Sequence, residues 1–287
     1  MIISCVILNY NDSATTMKLI EAIEEYSLIN YLVVVDNLST DDSLEKLEKL
    51  ETQKVKVIQT EKNGGYGYGN NFGVKYATEQ LHSDYVLICN PDVMFNEDVI
   101  SSALSIMNGN SNVAIVSPIQ LNSEGERANT VAWKIPSSWE YILGSSFFLR
   151  RFINSYRYQD GELNKSINYV DCVPGSLLFV STRAFSLVHG YDERIFLYCE
   201  ETVLGKKLKD AGFKTVLDST KEYHHLHSVS INKSISKEIK RKKILLSSRE
   251  YVIKNYLNGT RIELLIAKVV FAMVLVETRM KILFRGS

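Results

Sequence analysis

The chain has too little cysteine for a disulfide scaffold. It carries four (Cys5, Cys89, Cys172 and Cys199) in 287 residues, with no C-x-x-C pair. Three lie in or beside apolar, strand-like runs, which reads as reduced core thiols of a cytosolic protein, neither a disulfide framework nor a zinc site. It also lacks an apolar run long enough to cross a bilayer. Leu264 to Val276 is thirteen residues interrupted by Lys268, against the roughly 20 a spanning helix needs. No basic segment precedes the apolar residues of "MIISCVILNYN", so the start reads as a first strand and not a signal peptide. No internal repeat or low-complexity segment is evident. Net charge is lacking too: Lys plus Arg and Asp plus Glu each number 33.

That balance hides an asymmetry. From Lys233 to Ser287 there are thirteen Lys and Arg against four Glu, a net of +9, so the first 232 residues carry −9. The remaining composition, 45% apolar and 23% charged, is that of a globular chain, long enough for one large or two modest domains.

Along the chain, short apolar strands alternate with helical spacing. Strands are predicted at Ile2 to Leu8, Tyr31 to Val35, Val55 to Gln59 and Tyr85 to Cys89. Helices are predicted at Ala14 to Tyr26, Ser43 to Leu50 (capped by Ser39 or Asp41), Val74 to Leu81 and Asn96 to Met107. Continuously apolar strands in this order imply a parallel sheet covered on both faces. From Ser117 to Asn168 the pattern loosens into a long excursion suited to an acceptor-side or lid region. Order returns at "YVDCVPGSLLFVSTRAF", and Lys214 to Asp218 is a further strand.

Five stretches could carry chemistry. In "VVVDNLSTDDS", Asp36 ends a buried strand at the rim where open α/β sheets bind ligands. Its carboxylate can accept the imide N–H of uracil or thymine, or a ribose hydroxyl; an Asx turn closing the strand would use it equally well. In "EKNGGYGYGNNFG", glycines at 64, 65, 67, 69 and 73 miss the dinucleotide register, because Asn70 and Phe72 stand where glycine is required. They imply positive φ or a close backbone approach, and Asn63, Asn70 and Asn71 add amide donors and acceptors. In "DYVLICNPDVM", Pro91 ends the strand and leaves Asp92 at its exit. Asp92 either caps the following helix or ligates a Mg2+ or Mn2+ that bridges a diphosphate. In "HHLHSVS", His224, His225 and His227 are three of the chain's five histidines. In "FLYCEETVLGKKLKDAG", Glu200 and Glu201 begin a helix with lysines in its later turns. That suits the helix dipole, and it also suits a carboxylate of raised pKa serving as general base.

Together, "VILNYN", "VVDNLSTDDS", "NGGYGYGNNFG", "ICNPDV", "CVPGSLLFV", "FLYCEE" and "HLHSVS" resemble the bacterial family 2 glycosyltransferases, within them the rhamnosyltransferase-like branch that builds surface polysaccharides. The resemblance spans about Met1 to Ser230. It implies an α/β GT-A fold: a mostly parallel central sheet flanked by helices, plus a C-terminal helical extension. It places Asn9, Asn11, Asp36, Asn37, Asn63, Gly65, Asn71, Asn90, Gly175 and Ser176 around a nucleotide sugar, with Asp36 on the pyrimidine. Asn90-Pro91-Asp92 stands at the family's DXD position, Asn replacing the first Asp. Asp92 and His225 would then hold Mg2+ or Mn2+, and Glu201 would be the base of an inverting transfer. Two departures stand out: Glu201 replaces an Asp, and Val203 occupies a position that is often a second Asp.

The resulting division is a glycosyltransferase domain over 1–232 and basic amphipathic helices over 233–287. Within the first, the nucleotide-sugar half is about 1–116 and the acceptor half about 117–232. The resemblance implies a dTDP- or UDP-linked donor, dTDP-rhamnose first, and a polyprenyl-pyrophosphate-linked saccharide acceptor at the inner face of the cell membrane. The C-terminal stretch reads as two helices broken at Asn258-Gly259, suited to a membrane surface, the protein body or a second subunit in a homodimer. No nucleic-acid motif accompanies its basic cluster. Nucleotidyl transfer is disfavoured, since "NYNDSAT" is neither glycine-rich nor basic. A non-enzymatic reading remains: a membrane-associated assembly partner that binds nucleotide without turnover.

Overall fold

The frame of the protein is a sheet whose strands are apolar on both faces. The computed structural model describes residues 1–153, 156–159, 161–226 and 235–285. The elements of the first half are β1 (Ile3–Asn9), α1 (Ser13–Ile23), β2 (Tyr31–Asp36), α2 (Ser43–Glu48), β3 (Val55–Gln59), α3 (Tyr66–Glu79) and β4 (Tyr85–Cys89). After them come β5 (Val93–Met94), α4 (Asp98–Gly109), β6 (Val113–Leu121), α5 (Ser138–Leu143), β7 (Ile167–Val170), β8 (Leu177–Ser181) and α6 (Thr182–Leu187). The chain closes with α7 (Glu200–Asp210), β9 (Lys214–His225), α8 (Ile235–Asn255) and α9 (Arg261–Arg285).

The sheet order is β3-β2-β1-β4-β8-β6-β9-β5, with β7 paired to β9. The first four strands are parallel. β8 then enters antiparallel to both β4 and β6, and β6 runs parallel to β9. Helices cover both faces, burying Ile7, Leu32 and Leu87 on one and Val6, Val33 and Ile88 on the other. Each such side chain contributes about 1.5–3 kcal/mol by leaving water. The strand pattern implied a parallel α/β sheet, which holds for the first four strands; the antiparallel entry of β8 makes the whole sheet mixed, with helices on both faces as the resemblance implied.

Three boundaries differ from the sequence reading, each for a physical reason. The third helix starts at Tyr66, eight residues before the predicted Val74. Its glycines let it press on the sheet: a β-carbon on Gly73 would overlap Val6 and Val35. β9 runs on to His225 instead of ending at Asp218, because its far end pairs with β5 through Val93 and Met94. Asp92 does not cap α4, whose N-cap position is held by Glu97.

The C-terminal helices pack on the body. Val252, Ile253, Ala267, Val270, Phe271 and Val274 form a third core with Tyr141, Ile142, Ile195 and Val203. Tyr251 and Tyr256 donate from the end of α8 to Asp192 Oδ2, at 2.8 and 2.7 Å. Arg194 adds a bidentate pair to the same carboxylate. Although burial works the other way, these donors hold the Asp192 carboxyl below its ordinary range. Among the described residues, no helix is long and apolar enough to cross a membrane.

Candidate active site

Strand ends deliver the site. β5 pairs antiparallel with the end of β9, matching Val93 to His225, and Leu226 N donates to the Asp92 carbonyl at 2.8 Å. His225 Nε2 therefore stands 3.1 Å from Asp92 Oδ1. His225 Nδ1 lies 3.3 Å from Gln120 Nε2, so the ring is oriented from behind by a residue of β6. Gln120 Oε1 in turn accepts from Tyr223 Oη at 3.1 Å and from Ser176 Oγ at 3.5 Å. Ser176 and Tyr223 share a 2.6 Å hydrogen bond. The path thus runs unbroken from Asp92 to the strap that contains Gly175 and Ser176.

On the other side of that strap is the acid pair. A β-carbon on Gly175 would lie 2.9 Å from Glu201 Oε1, and Tyr66 Oη donates to the Gly175 carbonyl at 2.7 Å. Tyr198 and Cys199, ahead of the pair, both have left-handed backbones, φ 73° and 74°. Such strain in consecutive non-glycine residues gathers at functional sites, and here it aims the start of α7 at the strap. Glu200 is 3% exposed, and its Oε1 is buried with no hydrogen-bond partner. Burial first, then the neighbouring Glu201 charge, pushes its carboxyl up to about 8. Glu201 is also raised by burial, against donation from backbone N–H groups at 175 and 201. The pair therefore carries a proton near neutrality, and Glu201, the more exposed of the two, faces the strap. Burial chiefly raises the Tyr223 phenol, with the charges of Glu201 and Asp92 both adding to the effect. One hydroxyl senses both carboxylates.

The pyrimidine-side residues form a denser network than the sequence suggested. Asp36 is fully buried. Its Oδ1 accepts from Asn9 Nδ2 and Ser39 Oγ, and its Oδ2 from Ser39 N and Gln59 Nε2. Ser39 is thus committed to Asp36; Asp41 accepts from Ser43 N at the start of α2. Asn9 is buried and its Oδ1 accepts from Thr16 Oγ1, so it orients Asp36 from within. Asn11 bridges to Thr40. Asn37 joins Asn63 and the Gly65 carbonyl. Gly65, at φ 91° with an added β-carbon overlapping the Phe196 carbonyl, admits no other residue. Asn90 N donates to the Ser176 carbonyl, tying the Asn90-Pro91-Asp92 turn to the strap.

One predicted residue is not brought to this group. Asn71 clamps the 191–193 loop, its amide bonded to Tyr191 N, the Tyr191 carbonyl and Glu193. Of the three clustered histidines, His225 faces Asp92 and His224 pairs with Met94; His227 lies outside the described residues. Sequence reasoning missed Gln120 and Gln59. Both sit in strands, where a glutamine carries no motif; only its placement at a strand end, beside Asp36 in the case of Gln59, marks it.

Among the described residues, no cluster of three or more His, Cys, Asp or Glu could hold a metal by itself. An Asp92 oxygen and a His225 nitrogen within 3.1 Å suit a divalent ion whose remaining positions are filled by phosphate oxygens and water. The donor set fits.

The α/β sheet thus carries a strand-end Asp–His pair on one side of the Gly175 strap and an acid pair on the other, and residues 4–179 match the model of glycosyl transferase family 2. The chain belongs to that family. It is 29% identical over 199 residues to the low-salt glycan biosynthesis hexosyltransferase Agl10 of Haloferax volcanii, covering 69% of this chain and 59% of that one. It is 27% identical over 209 residues to N-acetylglucosaminyl-diphospho-decaprenol L-rhamnosyltransferase of Mycobacterium tuberculosis, covering 69% and 67%. The rhamnosyltransferase WbbL of Escherichia coli is 27% identical over 167 residues, 57% of this chain and 60% of its own. The chain thus spans about six tenths of the archaeal and Escherichia coli relatives. Among solved structures, GalNAc-T7 with UDP, GalNAc and Mn2+ superposes with a TM-score of 0.65 at 14% identity, over 88% of this chain and 48% of that one. The Pyrobaculum calidifontis mannosyltransferase with GDP-Man and Mn2+ gives 0.58 at 13% identity, over 99% and 79%. These likenesses are of fold.

Proposed function

We propose that the chain is an inverting glycosyltransferase that moves a sugar from a nucleotide-diphosphate donor to a saccharide hydroxyl. The observation that carries this reading is the hydrogen-bonded path joining Asp92–His225 to the Gly175 strap against which Glu201 lies. On this reading the diphosphate-side group and the base lie on either side of one strap.

Asp92 and His225 would hold Mg2+ or Mn2+; bound there, the ion offsets the charge of the departing diphosphate. Gln120 fixes the His225 ring behind it. Glu201 takes the proton from the acceptor hydroxyl while that oxygen bonds the anomeric carbon. The nucleoside diphosphate departs from the opposite face, so the configuration inverts. Glu200, kept neutral by burial, spares the site a second full negative charge beside the nucleophile. Asp36 and the exposed Gln59 beside it form the pyrimidine edge, with Asn63 and Gly65 shaping the pocket between them and the strap.

The mycobacterial relative is named for L-rhamnose transfer to a decaprenol-diphosphate-linked sugar. On that basis the donor is dTDP-rhamnose and the acceptor a polyprenyl-diphosphate-linked saccharide, in surface polysaccharide synthesis. The work would be done at the cytoplasmic face of the membrane, with a donor half over about 1–116, an acceptor half over about 117–232 and basic helices over 233–287. The change from Asp to Glu at 201 favours a second reading, a nucleotide-binding assembly partner without turnover.

The test is thermal stabilisation by dTDP, UDP, GDP and ADP, each with and without Mn2+, on wild type and Asp92→Ala. Binding to the native state raises apparent stability by mass action. A Mn2+-dependent shift with a pyrimidine diphosphate, lost in Asp92→Ala, is the expected result. No shift with any nucleotide sinks the reading.

A further inference from the structure

A cavity of about 730 Å³ lies outside the network described above. It is framed by the 144–150 segment after α5 and by α8 and α9. Four cations line it, Arg150, Arg241, Lys242 and Lys281, against two acids, Glu238 and Glu277. Glu277 is already engaged, accepting from Ser146 Oγ at 2.6 Å and Phe147 N at 2.9 Å. Behind the wall, Arg249 donates to Ser145 Oγ at 2.6 Å, and its Nε is buried without a partner. The positive charge here exceeds what the protein supplies to neutralise it. Desolvation first, then the nearby Arg249, lowers the Lys242 ammonium, with Lys281 adding and Glu277 and Glu238 opposing.

The cavity also has an apolar lip and a catalytic neighbour. Phe147 and Phe148, 64% and 50% exposed, stand at its mouth beside Met280. Arg150 lies over the Phe147 ring. Tyr198, in the strained turn just before the acid pair, forms part of the wall. A ligand here would therefore reach toward Glu201 at one end and an apolar surface at the other. That surface continues along α9 as Ile262, Leu265, Val269, Met273, Val276 and Met280, all exposed. Arg261, Lys268 and Arg279 are exposed along α9, and the acid beside them is Glu250 of α8, 4.0 Å from Lys268, so cations are in excess there. A second copy docked on it would bring cation to cation, whereas an anionic lipid would neutralise it.

We infer that this cavity binds the diphosphate of a prenyl-diphosphate-linked acceptor. Arg241, Lys242 and Lys281 take the phosphates, and Phe147 and Phe148 flank the first isoprene units. The inference rests on the glycosyltransferase reading and locates its acceptor. Diphosphate oxygens accept charge-assisted hydrogen bonds from all three cations, and the apolar lip adds transfer energy that a free phosphate cannot gain.

The experiment titrates the full chain with farnesyl diphosphate, farnesol and inorganic pyrophosphate by calorimetry, alongside dTDP with Mn2+. The same titrations are run on a triple variant, Arg241→Gln, Lys242→Gln and Lys281→Gln. Wild type should bind farnesyl diphosphate at least about tenfold more tightly than either fragment, and the triple variant should lose roughly tenfold or more. Nucleotide affinity should be equal in both proteins. Equal binding of farnesol would overturn the proposal in favour of a plain apolar groove. Undiminished binding in the variant, or displacement by dTDP, would place the diphosphate elsewhere and overturn it too. So would equal affinity of both proteins for phosphatidylglycerol vesicles with no preference for the diphosphate probe. Absence of nucleotide binding in wild type would instead refute the donor reading, so the two failures are distinguishable.

Discussion

Glu201 lies so close beneath Gly175 that a β-carbon at position 175 would stand 2.9 Å from its Oε1. The strap and the base are thus fitted to one another. Glu201→Gln keeps that shape and removes the basic oxygen. Transfer should fall by at least about a hundredfold while donor affinity stays within roughly twofold. Single-turnover transfer and nucleotide titration on the same preparation would separate the two; unchanged transfer would remove Glu201 from the role of base, and nucleotide binding with no transfer by either protein would favour the assembly-partner reading.

Gln120 is neither a proposed metal-holding residue nor the base, yet it holds the His225 ring and the Ser176–Tyr223 pair. Gln120→Leu, of similar volume, should weaken Mn2+-dependent dTDP binding by about 10–100-fold, the usual effect of removing a group that orients a metal ligand. Binding measured without Mn2+ should be unchanged. An equal loss with and without the ion would show that Gln120 only stabilises the fold.

Gly65 combines φ 91° with direct apposition to the Phe196 carbonyl. Gly65→Ala should cost roughly 1–3 kcal/mol from the backbone strain, with the overlap adding to it. At about 2–4 °C per kcal/mol for a chain of this size the melting shift is easily read. Gly109→Ala, where an added β-carbon meets nothing within 4 Å, is the control.

Val203 is fully buried in the core shared with α8 and α9. Here the aspartate often found in the family would be an unpaired charge in apolar surroundings. Val203→Asp should destabilise by several kcal/mol, on the order of 3 or more, and lower the urea midpoint accordingly. A variant as stable as wild type would mean that water reaches this position.

Glu200 gives the protein a pH signature. Its folded value of about 8 lies above the ordinary 4.5. Below the ordinary value it is protonated in both states. Between the two the unfolded carboxyl ionises while the folded one does not, so stability is lost as pH rises toward the folded value. Glu200→Gln removes that slope. Urea midpoints of wild type and variant should diverge between about pH 5 and about pH 8, with the variant the more stable at the upper end.

Much of this was readable from residue order. Ile3–Asn9, Tyr31–Asp36 and Tyr85–Cys89 are apolar along most of their length because both faces of the sheet are covered there, so the parallel half followed directly. Asp92 drew notice because it follows the abrupt end of an apolar run, and His225 because three of the five histidines cluster there. What stayed hidden depends on partners distant in sequence. The start of α3 was masked by glycines that pack where local propensity predicts a turn. Asn71 read as a ligand contact, since an amide satisfied by a distant loop cannot be told by sequence from one awaiting a substrate. Gln120 and the cavity beside Tyr198 exist only through tertiary packing: β6 against β9, and α8 and α9 against the 144–150 segment.

β9 joins two jobs in one strand. Its first half, with Val216 and Leu217, is anchored in the core, and Tyr223, His224 and His225 pair onward with β6 and β5. Side chains alternate between faces, so a one-residue slip turns each to the other side. Deleting His224 would leave every site residue in the gene and still carry the imidazole away from Asp92. For this protein the length of the strand is itself a functional property, one that comparing residue identities alone would not detect.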